Sequence, residues 1–122
     1  MAKYLLLLYD DPSHWAKLKP EEIKTAIGKY RAWGDKLRQS RIYLGSHKLT
    51  DEPGKVVRGR RNGKPRITDG PYSETKEVLG GYYLIEATNY DQAVESTRDC
   101  PHLEYGGTIE VRQVDELIGA QG

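Results

Sequence analysis

The stretch KYLLLLY, residues 3 to 9, constrains the fold more than any other part of the chain. Side chains alternate across a strand, so Tyr4, Leu6 and Leu8 take one face and Leu5, Leu7 and Tyr9 the other. A strand that is apolar on both faces needs cover on both faces. Asp10 and Asp11 close the run too soon for a signal peptide or a membrane-spanning helix, so a cytoplasmic protein without a membrane partner is expected.

Helical and strand periods alternate along the rest of the chain. From Pro20 to about Ser40, Ile23, Ile27, Tyr30, Trp33 and Leu37 recur at helical spacing, with Pro20, Glu21 and Glu22 suited to the first turn. Residues 41 to 49 read as a second strand with Ile42 and Leu44 on one face and Tyr43 and His47 on the other. Asn62-Gly63 centres a hairpin over 55 to 68, because both residues tolerate positive φ. GYYLIEA, residues 81 to 87, is a further strand, and Thr88 to Asp91 resembles a capping box opening a helix with Tyr90, Ala93, Val94 and Thr97 on one stripe. Pro101 ends that helix, and 108 to 114 form the last strand, with Ile109 and Val111 opposite Glu110 and Arg112.

Without the hairpin the order is βαββαβ, a ferredoxin-like α+β fold with both helices on one face of an antiparallel sheet. The other face is then left for a second subunit, and a homodimer through the sheet face is expected. At 122 residues the chain makes a single domain, 1–122, with a core from about 3 to 114 and a C-terminal tail from 115 to 122. Lysine and arginine total 19 against 18 acids, so no global attraction draws the chain to nucleic acid. Lys55, Arg58, Arg60, Arg61, Lys64 and Arg66 do concentrate on the hairpin. A charged edge that resists aggregation explains them better than phosphate contact.

Three segments carry a family resemblance: TDGPYSETKEVLGGYYLIEA, LGSHKL upstream of it and CPHLEYGGTIEVRQV downstream. Together they resemble the YCII-related superfamily, within it the DGPF-domain branch, over nearly the whole chain. Asp69, Gly70, Pro71 and Tyr72 occupy the branch motif, with tyrosine where phenylalanine is usual. The resemblance implies a dimeric α+β barrel of ferredoxin-like subunits and an enzyme-like cleft. It also implies an association of DGPF-type proteins with extracytoplasmic-function sigma factors, which makes a non-enzymatic regulatory module the alternative. In the wider superfamily the suggested site uses a histidine on the first helix with an aspartate elsewhere. The helix expected from Pro20 to Ser40 has no histidine to take that role.

Asp69-Gly70-Pro71 is first of all a turn, since aspartate bonds a nearby amide and proline fixes φ. The functional reading makes Asp69 a general base or hydrogen-bond acceptor at a cleft, with His47 and His102 as proton carriers. Tyr72, Glu74, Arg112 and Tyr43 would then contact a small polar ligand in acid/base isomerisation or lyase chemistry. No cofactor is called for. His47, His102 and Glu104 lack the dense spacing of a metal site, so none is expected. Gly80-Gly81 marks a turn or bulge ahead of its strand, and Cys100 a buried small residue at a helix end.

Overall fold

The computed structural model describes residues 1–59, 63–70 and 77–116. The elements run β1 (Ala2–Asp10), α1 (Pro12–Ala16), α2 (Pro20–Gln39), β2 (Tyr43–Lys48), β3 (Lys55–Arg58), β4 (Arg66–Asp69), β5 (Val78–Ala87), α3 (Tyr90–Glu95), α4 (Pro101–Glu104) and β6 (Thr108–Gln113). Four strands form an antiparallel sheet in the order β2-β5-β1-β6, and among the described residues β3 and β4 pair only with each other. This is the ferredoxin-like α+β arrangement with an inserted hairpin.

Strand β1 lies at the centre, and its two apolar faces have different fates. Tyr4, Leu6 and Leu8 are buried with Ile85 and Ala87 of β5 against Trp33, Leu37, Ala93 and Cys100. Leu5, Leu7, Tyr82 and Leu84 point the other way and are only partly buried. We call this second side the open face.

Helix α2 forms where its caps and charges place it. Pro20 starts it, Glu22 accepts from the Lys19 amide at 3.0 Å, and Lys36 and Arg38 fill the last turn. The apolar stripe is rotated from the expected one: Ala26 is buried while Ile27 is 47% exposed. At the end, Arg41 adopts φ 61° and the Ile42 amide reaches back to the Leu37 carbonyl at 3.2 Å.

The short helices escape periodicity, because a single turn has none. Asp11 caps α1 by accepting from the Ser13 amide at 3.0 Å, with Pro12 at the first position. Asn89 caps α3 in the same way through Gln92, and Ala93 and Thr97 are buried while Tyr90 and Val94 stay 45% and 42% exposed. Pro101 opens α4 rather than closing α3, so Cys100 precedes a helix instead of ending one.

Two irregularities correct the expected strand geometry. The double glycine lies inside β5, not ahead of it: Leu8 faces Gly81 and Tyr9 faces Leu79, leaving Gly80 as the extra residue of a bulge. A Cβ on Gly81 would stand 2.9 Å from the His47 carbonyl oxygen, so β2 approaches there only because the side chain is absent. On β2, Tyr43 faces Ile85 but Gly45 faces Leu84, so Leu44 is an extra residue. The slip sends Tyr43 to the helix side and His47 to the open face, separating two residues expected to share one.

The β3–β4 ladder pairs Lys55 with Asp69, Val56 with Thr68, Val57 with Ile67 and Arg58 with Arg66. Its root is pinched shut. The Gly70 amide donates to the Gly54 carbonyl at 3.1 Å, and a Cβ on Gly70 would lie 1.8 Å from the Pro53 carbonyl oxygen. Asn62, half of the expected hairpin turn, lies outside the described residues.

Candidate functional site

The alternation of β1 and the register of its neighbours line up one row of side chains across the open face. His47, Tyr82, Leu7 and Glu110 are consecutive partners on β2, β5, β1 and β6. Adjacent strands lie about 4.8 Å apart, so the row spans roughly 14 Å. At one end Nδ1 of His47 is 2.8 Å from the Tyr82 hydroxyl. At the other, the Tyr9 hydroxyl donates to Glu110 Oε1 at 3.1 Å, and Arg112 lies 3.7 Å from the second oxygen. The hydrogen bond to the Glu110 carboxylate, helped by burial, raises the pKa of the Tyr9 hydroxyl. Leu5 and Leu84 occupy the next row with Arg112, so two polar clusters flank an apolar saddle.

The residues expected to act together meet different partners. His102 is 3% exposed and both ring nitrogens are engaged: Nδ1 with the Tyr30 hydroxyl at 2.8 Å and Nε2 with the Tyr9 carbonyl at 2.7 Å. A carbonyl only accepts, so Nε2 carries the proton and Nδ1 accepts from Tyr30. Burial raises the Tyr30 pKa strongly, which keeps its hydroxyl protonated as that donor. Gly107 backs the ring so closely that a Cβ there would fall 2.2 Å from Nε2. In this position the imidazole joins α2, α4 and β1.

Asp69 is exposed at the hairpin root and paired with Lys55 at 2.6 Å, which holds its carboxyl below the usual aspartate range. Among the described residues it shares no hydrogen-bond partner with His47 or His102. Tyr72 and Glu74 lie outside the described residues. Tyr43 packs on the helix side, where its hydroxyl meets Ser46 at 2.6 Å and the Arg38 guanidinium stacks 4.3 Å from its ring centroid. Arg112 is on the open face, as its alternation with Val111 foretold.

The first helix is α1, and it carries His14, exposed and edge-on to Trp15. The indole of Trp15 donates to Asp10 Oδ2 at 2.5 Å. Tyr9, Tyr82 and Glu110 were missed as site residues because only the β1–β6 and β1–β5 registers bring them together. Alternation alone already put Tyr9 and Leu7 on one face.

Among the described residues no group of three or more His, Cys, Asp or Glu side chains is placed to hold a metal ion. No described helix is long and apolar enough to cross a membrane. A groove of about 620 Å³ opens on the helix side, floored by Leu37, Ile42 and Ala87. Its cations are already neutralised, Lys36 by Asp99 and Arg98 by Glu95, so it offers no spare positive charge to an anionic ligand.

The sequence profile of the YCII-related domain matches residues 2–118. An uncharacterized protein of Rhizobium meliloti (strain 1021) is 28% identical over 110 residues, which cover 89% of this chain and 89% of that protein.

Proposed function

Because the chain belongs to the YCII-related domain family, we propose that it binds a small polar metabolite on the open face of its sheet. A second copy would cover that face, giving a dimeric α+β barrel. The Asp69-Gly70-Pro71-Tyr72 sequence supports a place in the DGPF branch. One observation carries the reading: the row His47–Tyr82–Leu7–Glu110 sets a basic, hydroxyl-rich end and an acidic end on either side of an apolar saddle. Sheets with a solvated face usually turn plain polar side chains outward, whereas this one mixes leucines with ionisable pairs. Enclosure by a second copy would lower the local dielectric and strengthen each polar contact to a ligand.

The chemistry follows from the groups present. Arg112 would take an anionic substituent and Glu110, at the same end of the row, would move a proton, as isomerisation or lyase-type steps require, with His47 bounding the site at the far end. Asp69 and His102 then serve the scaffold, through Lys55 and through Tyr30 and Tyr9. The test is a ligand-observed NMR screen of hydroxy- and keto-acids, followed by titration of each hit against Arg112→Ala and Glu110→Gln. Arg112→Ala is expected to weaken binding at least about tenfold, the loss of one charge-assisted bond. Glu110→Gln is expected to bind and not turn over. Unchanged affinity in Arg112→Ala and His47→Ala together would place the site elsewhere.

A further inference from the structure

Among the described residues the β3–β4 hairpin makes its ladder only with itself. Val57 and Ile67, directly opposed on one side of it, are 62% and 66% exposed. On the other side Arg58 and Arg66 are directly opposed, a like-charge pairing that costs stability in an isolated ladder. No described carboxylate pairs with either. Two-stranded ladders alone are marginal in water. This one is nevertheless firmly rooted, by the Gly70–Gly54 hydrogen bond, the close Pro53 contact and the Lys55–Asp69 pair. A firmly rooted arm that presents an exposed apolar pair on one side and two unneutralised arginines on the other offers a protein partner both an apolar anchor and a charged flank.

Charge selects the partner. The hairpin stretch 55–66 holds six of the chain's 19 bases and no acid, so the remaining residues carry 13 bases against all 18 acids. An arm of about +6 therefore belongs to a body of about −5, and the body of a second copy is electrostatically complementary to it. A phosphate backbone would satisfy the arginines but leave Val57 and Ile67 in water. Size points the same way: two short strands bury far less than the roughly 1,600 Å² of a stable interface, so the arm must extend a larger contact.

We infer that the β3–β4 hairpin is an arm that packs Val57 and Ile67 on a second copy of this chain, extending the open-face dimer. The inference rests on the dimer reading given above. It is tested by sedimentation equilibrium on the full chain, comparing wild type, Val57→Asp/Ile67→Asp and Leu7→Asp, with circular dichroism to establish that each is folded. The arm variant is expected to raise the dimer dissociation constant about tenfold or more, since two apolar anchors are lost. Higher salt is expected to weaken the wild-type dimer more than the variant in which Arg58 and Arg66 are both glutamine. Amide exchange at 56–58 and 66–68 should slow as wild-type protein concentration rises. An unchanged dissociation constant in the arm variant, with Leu7→Asp monomeric, overturns the arm and leaves the open-face dimer standing. A wild-type chain that stays monomeric at 100 micromolar, as about the highest concentration tested, overturns both. Duplex DNA bound through Arg58 and Arg66, with dimerisation indifferent to the arm variant, also overturns the inference.

Discussion

The Tyr30 hydroxyl on α2 donates to Nδ1 of the buried His102 ring on α4 across 72 residues of sequence. His102→Ala would take a partner from that hydroxyl and from the Tyr9 carbonyl. A loss of about 2–4 kcal/mol is expected from two lost hydrogen bonds and a cavity. Urea denaturation measures it. Were His102 a surface proton carrier instead, stability would be unmoved.

Two backbone positions should respond in opposite directions. Arg41 sits at φ 61°, left-handed and strained for a residue with a Cβ, so Arg41→Gly is expected to stabilise by about 0.5–1 kcal/mol. Gly70→Ala would drive a methyl into the Pro53 carbonyl, and the hairpin root must open to admit it. Faster amide exchange over 55–58 and 66–69, with the main sheet unaffected, is the expected signature.

Burial pushes the Cys100 thiol up to about 11, so almost none is thiolate near neutrality. Iodoacetamide at pH 8, an ordinary labelling condition, is expected to alkylate native protein slowly and unfolded protein fast. Mass spectrometry over a urea series follows the difference. Rapid native labelling would show the helix side to be open.

Asp99 is held below its usual value of 3.8, first by its hydrogen bond from Lys36. A depressed carboxyl stabilises the fold above its unfolded pKa, and that stabilisation is lost as pH falls through the folded value. Both side chains are well exposed, so the pair contributes at most about 0.5 kcal/mol. Lys36→Met should move the Asp99 titration up toward 3.8, a shift read by carboxyl-detected NMR. Acid unfolding should begin slightly earlier in the variant.

The fold was legible because its strands and its long helix repeat. KYLLLLY fixed the central strand, and the period of Tyr30, Trp33 and Leu37 fixed the helix that covers it. What escaped was set by single residues. Leu44 and Gly80 are one surplus residue each, Leu44 sends Tyr43 and His47 to opposite sides of the sheet, and no period records an insertion. The candidate site was half legible for the same reason. His47 and Arg112 stand out by chemistry, but their partners Tyr82 and Glu110 emerge only from strand register. His102 looked like a catalyst because imidazole is the usual proton carrier, and burial between two satisfied bonds gave it another task.

Tyr9 touches both sides of the sheet at once: its carbonyl meets the His102 ring below, while its hydroxyl meets Glu110 above. A molecule that settled on the leucine saddle and shifted the β1 backbone at Tyr9 would move the backbone oxygen that the imidazole holds. The ring nitrogens of His102 therefore make a spectroscopic sentinel on the dry side of the protein, out of reach of solvent and of the guest itself. Under the reading proposed above, their ¹⁵N resonances would register a ligand on the open face.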